Sequence, residues 1–359
     1  MAGGLFELRR DDITGWWVAT IVDREFDRAR FARPARRLTT PDSECQNCRS
    51  APVERAWIRV LRPQAFTLGR DEPASAPRGR DGASGAANAG PPAPATQELG
   101  LGLLGDVGSW ETIVAPSRQH GVLSEASERV VIEMLALARE RIRRAQAEGG
   151  TEYLQVVQNY GVGAGALTDH LCLDFYDLPQ IPHRIGEELG GAARFVIREG
   201  ECPFCRLVRE EVADPTRLVY EDAASVCFAP YASRSPFELW VVPRHHAADF
   251  GTASDAQLVS AADTLQSVLR LLASLGGPAY NLVLHSAPLR ERVDDTYHWH
   301  WEIHPRLREI AGLEIGTGLP VNPIAPEQVA RELLETAREE HIETGVAAGP
   351  RSWDEFSDS

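Results

Sequence analysis

The residues best suited to chemistry stand in one run, Tyr297-His298-Trp299-His300-Trp301-Glu302-Ile303-His304-Pro305-Arg306-Leu307. Polar and bulky apolar side chains alternate with period two. On a strand, His298, His300, Glu302 and His304 therefore share one face, while Trp299, Trp301 and Ile303 press into a core. Imidazoles at neighbouring positions beside a carboxylate suit metal and phosphate chemistry near neutral pH. The thiols form a second set. Four of the six cysteines (Cys45, Cys48, Cys172, Cys202, Cys205 and Cys227) fall in C-x-x-C pairs, which in a reducing compartment read as metal ligands before disulfides. A zinc site of two thiolates and two imidazoles draws its ligands from separate segments, usually with one short-spaced Cys pair. The first half offers Cys45, Cys48, His120 and His170, and the second half offers Cys202, Cys205, His246 and His298 in the same order. His285 and Glu187 compete for the second ion, and zinc or iron would suit an imidazole and carboxylate set.

Strands and helices must bring these ligands together, and the pattern predicts which. Leu5 to Ala19 reads as strand, Asp/Gly turn and strand, followed by Arg24, Arg28 and Arg30, which either clamp phosphate or form a solvated face. Strands follow at Trp57–Leu61, Trp110–Val114 and Tyr153–Val157. A helix carries Val130, Val131, Met134, Leu135, Ala138 and Ile142 at helical spacing, with Ser124 as its cap. Its last-turn arginines read as dipole compensation. From Cys202 the same order recurs: C-x-x-C, strands around Val219, Cys227 and Val241, His246, a helix opened by the Ser254/Gln257 capping box, a strand at Tyr280–His285, and the histidine run. Pro326 starts a further helix. The parts therefore occur twice, and the expected architecture is α+β. Two tandem domains each carry an antiparallel sheet with packed helices: 1–195, with a Gly/Ala/Pro/Ser-rich insertion over about 69–97, and 196–345, followed by an acidic tail, 346–359.

Composition narrows the function. All 37 basic residues are Arg, against 52 acidic ones, for a formal charge of −15. That balance argues against a general nucleic-acid surface and leaves room for a local Arg pocket for one nucleotide's phosphates. The first residues lack a signal-peptide apolar stretch, and no later stretch is long enough to span a bilayer, so the expected location is the cytoplasm with no membrane partner.

Several motifs together resemble the galactose-1-phosphate uridylyltransferase family, whose members are two fused histidine triad domains. They are Phe228-Ala229-Pro230-Tyr231-Ala232-Ser233-Arg234-Ser235-Pro236-Phe237-Glu238, His285-Ser286-Ala287-Pro288, His298-Trp299-His300 and Ala311-Gly312-Leu313-Glu314-Ile315-Gly316-Thr317-Gly318. The resemblance runs from about Leu5 to Leu334. It implies a double displacement in which a histidine attacks the α-phosphorus of UDP-glucose, glucose 1-phosphate leaves, and the uridylyl group passes to a hexose 1-phosphate, an activity of the nucleotidyltransferase class. It further implies Arg24, Asn159 and Gly165 at the phosphates, Glu314 at hexose hydroxyls, and zinc on Cys45, Cys48, His120 and His170. A second metal would sit among Glu187, His285, His298 and His300. A homodimer is a further implication, which the apolar Trp240 and Phe237 region would permit.

The first half departs from the family's pattern. Leu167 stands in place of a Ser, Leu171 of a Pro, Cys172 of the nucleophilic His, and Asp174 of a Gln. Two neutral donors to phosphate are missing, and Asp174 adds negative charge beside an anionic substrate. Three readings follow: a nucleotidyltransferase with Cys172 or His300 as nucleophile, a nucleotide hydrolase or phosphorylase working at His298-Trp299-His300, and a silent nucleotide or sugar-phosphate binder that keeps its metals for folding.

Overall fold

The computed structural model describes residues 6–21, 28–36, 41, 43–50, 55–61, 108–116 and 121–346. Arg24, His120, the insertion over 69–97 and the tail from 347 lie outside the described residues. In chain order the elements begin with β1 (Glu7–Arg10), β2 (Trp17–Thr20), α1 (Gln46–Ser50), β3 (Trp57–Leu61), β4 (Ser109–Val114), α2 (Glu128–Glu148), β5 (Tyr153–Tyr160) and β6 (Cys172–Leu178). They continue with α3 (His183–Glu199), α4 (Pro203–Ala213), β7 (Leu218–Glu221), β8 (Ser225–Phe228), β9 (Leu239–Pro243), α5 (Asp255–Ala273) and β10 (Tyr280–His285). Last come β11 (His300–Pro305), α6 (Gly312–Thr317), β12 (Val321–Asn322) and α7 (Pro326–Glu339).

Among the described residues, nine strands form one antiparallel sheet in the order β3-β4-β6-β5-β10-β11-β9-β8-β7. The halves of the chain meet at the β5–β10 seam, where Val157 faces Val283. One strand out on either side, Asp174 pairs with Val157 and Glu302 pairs with Val283. The sheet therefore presents the same stations twice, the tandem triad arrangement of an α+β protein.

On one face of the sheet lie α2 and α5. Their apolar stripes meet Trp299, Trp301 and Ile303 in the main core. Each such burial is worth about 1.5–3 kcal/mol, so the three large side chains decide which way β11 faces. The Ser254/Gln257 capping box opens α5 with both reciprocal bonds made, and Pro326 lies in the first turn of α7. Ser127, not Ser124, precedes α2. Ser124 is spent one turn earlier, in the short 3-10 helix Leu123–Glu125. The arginines late in α2 do more than offset a dipole. Arg141 pairs with Glu111 at 2.6 Å, and Arg139 and Arg143 donate to the carbonyls of Ala253 and Gly251 at 2.8 and 2.6 Å.

The opposite face is treated differently in the two halves. Over β9, β10 and β11 it is covered by α3 and α4, through Glu188, Ala192, Phe204 and Val208. Over β5 and β6 its side chains (Gln155, Val157, Asn159, Cys172, Asp174, Tyr176) stay half-buried. Neither α3 nor α4 was among the helices expected from the sequence. Their signals were Ile185, Ala192 and Phe195 at helical spacing, Gly200 in the left-handed conformation at the end of α3, and Pro203 opening α4.

β1 and β2 pack on elements of the second half. β2 pairs with β12, and the buried Arg9 reaches Glu327 at 2.8 and 2.9 Å. A buried guanidinium requires a carboxylate, and Glu327 supplies it. Trp240 and Phe237 lie in the interior and offer no dimer surface. Among the described residues no helix is long and apolar enough to cross a membrane.

At Gly191, α3 touches the N-terminal turn so closely that an added Cβ would come 1.7 Å from the Ile13 carbonyl oxygen. Gly191→Ala improves helix propensity by about 1 kcal/mol. The clash with backbone outweighs that gain, for a net loss of about 1–3 kcal/mol. Urea unfolding should show a lower midpoint; an unchanged or higher one contradicts this packing.

Candidate active site and metal centres

The C-x-x-C pair of the first half opens α1, and His170 precedes β6. His170 Nδ1 lies 3.8 Å from Cys45 Sγ and 3.4 Å from Cys48 Sγ. Its Nε2 meets the Ala115 carbonyl at 3.0 Å, a contact that places the proton on Nε2 and leaves the Nδ1 lone pair toward the sulfurs. A tetrahedral ion with ordinary Zn–S and Zn–N lengths sets such atoms about 3.5 Å apart, so this donor set fits a metal ion. The second half repeats the arrangement with four ligands. Cys205 Sγ lies 3.2 Å from His246 Nδ1 and 3.7 Å from His298 Nδ1, and Cys202 completes a group whose ligand atoms all lie within 4.8 Å of one another. His246 Nε2 meets the Asp294 carbonyl, the counterpart of the His170 contact with Ala115.

The expected second metal set divides. His298 goes with the sulfurs, whereas His285 and His300 group with Glu188 and Glu302. Glu187 is not part of that group. It faces His183 one helical turn back, at 3.4 Å, while the next residue, Glu188, turns inward to His285 at 3.0 Å and Tyr297 at 2.8 Å. Helical geometry rotates adjacent residues by about 100°, so only one of the pair can face the sheet. Glu302 is surrounded by Arg184 at 2.5 Å, Arg234 at 3.0 Å and His304 at 2.9 Å, with His285 at 3.5 Å. Burial alone would push its carboxyl up. Arg234 and His285, with hydrogen bonds from His300 and His304, overcome that and hold it well below the usual range.

His300 has the internal geometry of a nucleophile, its Nδ1 held by the His298 carbonyl at 3.0 Å. It has no route to a substrate. It is 0% exposed, with the rings of Trp240 and Phe204 each 5.0 Å away. The histidine face expected to be a reactive surface is thus interior: His298 precedes the strand, and only His304 is half-buried at a cavity.

Cys172 stands at the station equivalent to His300 and is half-buried. Asn47, inside the C-x-x-C turn, donates to its Sγ at 3.7 Å. The surrounding pocket is lined by Asn159, Gly161, Thr168 and His170. Asn281 reaches across the seam to Asn159 Oδ1 at 2.6 Å and the Ala164 carbonyl at 2.8 Å. This fixes the turn that ends in Gly165, whose φ of +81° suits glycine. Asp174, two residues along the same face, accepts from Trp110 Nε1 at 3.3 Å. Burial pushes its carboxyl up to about 6, against the hydrogen bonds of Thr112 and Trp110. Glu314 is elsewhere, in a cavity of about 580 Å³ shared with Arg184, Asn281, His304 and Arg308. Its carboxylate is engaged by Arg308 at 2.5 and 3.1 Å and by the Ala311 N–H at 2.6 Å.

No family model matches the chain. It is 27% identical over 337 residues to ADP-glucose phosphorylase of Arabidopsis thaliana, covering 92% of this chain and 93% of that one. It is 26% identical over 238 residues to galactose-1-phosphate uridylyltransferase of Thermotoga maritima, covering 64% and 74%. A crystal structure of an ADP-glucose phosphorylase from Arabidopsis thaliana with bound ADP-glucose superposes with a TM-score of 0.67 at 26% identity, over 92% of this chain and 98% of that one. The chain is thus similar over most of its length to an ADP-glucose phosphorylase and over a shorter stretch to a galactose-1-phosphate uridylyltransferase, and it shares the fold of the former. Within that fold, the sequence expectations missed Asn47, Glu188 and Arg184. The last two lie on α3, and Asn47 was hidden as the variable residue of a C-x-x-C turn.

Two outcomes are expected. Elemental analysis of the purified chain should find about two bound metal ions, one lost in Cys48→Ser and the other in Cys205→Ser; no bound metal contradicts both sites. Asp174 is easier to protonate folded than unfolded, so it favours the fold below about pH 4 and costs stability as pH rises through about 6. Asp174→Asn should therefore stabilise at pH 7 by up to about 3 kcal/mol, the gain vanishing near pH 4. Denaturant titrations at several pH values check this, and a destabilised variant at pH 7 contradicts it.

Proposed function

We propose that the chain transfers a nucleotidyl group from a nucleoside diphosphate sugar to phosphate or a sugar 1-phosphate, with Cys172 as the covalent carrier. The observation that carries this reading is the contrast between the two equivalent stations: Cys172 is half-buried beside a Cys/His group and lines a small pocket with Asn159 and His170, whereas His300 is sealed in. In the first step the Cys172 thiolate attacks the α-phosphorus. The S–P bond forms as the bond to the bridging β-phosphate oxygen breaks, and sugar 1-phosphate leaves with the electron pair. In the second, an acceptor phosphate oxygen attacks the same phosphorus, the S–P bond breaks, and the thiolate is restored. Asn47 orients the sulfur through its amide, and the Asn159 turn, braced by Asn281, receives the phosphates.

Zinc is the ion that thiolate and imidazole ligands suit in both halves, and when bound it would fasten α1 to the entry of β6 and α4 to that of β11. Arg184 and Arg234 already neutralise the buried Glu302, which argues against an iron ion in the Glu188/His285/His300/Glu302 group. ADP-glucose phosphorylase, similar along most of the chain, supports an adenylyl donor with phosphate as acceptor. A second copy of the chain is the partner that Ile310, Leu313 and Ile315, exposed around Glu314, would suit. The free thiols fit a reducing compartment such as the cytoplasm.

Incubation with ADP-glucose or UDP-glucose followed by intact-mass and peptide analysis should find a nucleotidyl adduct on Cys172. It should be abolished in Cys172→Ala, retained in His300→Gln and discharged by phosphate or hexose 1-phosphate. Turnover that survives in Cys172→Ala contradicts the thiol relay, and saturable binding with neither adduct nor turnover supports a silent binder instead.

A further inference from the structure

Asp174 and Glu302 occupy equivalent stations on either side of the β5–β10 seam, yet their surroundings are opposite. Glu302 is ringed by two guanidiniums and three imidazoles. Asp174 has no ion pair among the described residues. Among the described residues, the neighbours that face it bring no cation: Trp110 and Thr112 from β4, Val157 from β5, and Cys172 and Tyr176 along its own strand. Tyr176 stays protonated, its hydroxyl pushed up to about 12 by burial and by Asp174 itself. An ionised carboxylate accepts hydrogen bonds only, and beside a docked diphosphate it would set acceptor against acceptor and anion against anion.

We propose that Asp174 takes up a proton when the phosphates of a nucleotide sugar dock beside Cys172, so that a neutral carboxyl donates a hydrogen bond to phosphate. This rests on the nucleotide reading of the Cys172 pocket. Burial has already brought the free group to about 6, so a neighbouring anion has only a small distance to carry it through neutrality. Asp174 then acts as a donor at low pH and as a repulsive gate at high pH. Binding coupled to uptake of one proton weakens as pH rises, by up to about tenfold per pH unit where the free group is ionised.

The test is titration calorimetry of the metal-loaded full chain with ADP-glucose and UDP-glucose, whose diphosphate diester has no group ionising between about pH 5 and 8. Heats in two buffers of different ionisation enthalpy count the protons taken up by the unmodified protein. The expected results are about one proton per ligand near pH 7, affinity that falls by up to tenfold between about pH 7 and 8, and loss of both effects in Asp174→Asn. That variant keeps a neutral donor, so at about pH 8 it should bind at least as tightly as the natural chain. Binding without proton uptake, uptake that persists in Asp174→Asn, or loss of binding in that variant at every pH overturns the proposal and leaves the nucleotide reading standing. Absence of saturable binding of either nucleotide sugar overturns both.

Discussion

Glu302 is fully buried, and an ionised carboxylate there is stable only because Arg184, Arg234, His285 and His304 converge on it. This cluster ties together parts of the chain far apart in sequence. Arg184 comes from the start of α3, Arg234 from the loop before β9, His285 from the end of β10 and His304 from β11. Arg234 also binds Glu238 at 2.6 Å, and Glu188 on α3 reaches His285 from the other side. Holding these partners in place keeps α3 against the sheet, and α3 in turn closes the second-half face over His300.

Closure of one half gives the duplicated sheet a division of labour. The two halves share register, a Cys/His group and a carboxylate at the same station, but the second uses its polar residues to hold itself together. The first leaves Cys172, Asn159 and Asp174 half-buried, with no guanidinium paired to Asp174 among the described residues. A nucleotide's phosphates can approach a half-buried station; they cannot approach one sealed beneath two helices. The same physics that makes Glu302 a structural residue leaves Asp174 available to a ligand.

Much of this was legible in the sequence. Period-two alternation gave β5, β10 and β11, helical spacing gave α2 and α5, and the repeated order of C-x-x-C, His and His-x-His or Cys gave the pairing of ligands that the fold brings together. What alternation cannot report is whether the polar face of a strand meets water or another layer. His300 and Glu302 were therefore expected on a reactive surface, and they lie beneath α3 and α4. Glu187 was the expected ligand and Glu188 is the residue that turns inward; with α3 unrecognised, nothing in the sequence distinguished its inward face from its outward one. The N-terminal hairpin was recognised as strands, but its partner, β12, is two residues long and too short to carry a pattern.

The account turns on which half of the sheet receives the substrate. A crystal structure of the metal-loaded chain with a bound nucleotide sugar tests this most directly. The account predicts the α-phosphorus beside Cys172 Sγ, with the phosphates against the Asn159 turn and Asp174 within hydrogen-bonding distance of a phosphate oxygen. A nucleotide bound instead over the second half, with α3 displaced and its phosphorus facing His300, would contradict it.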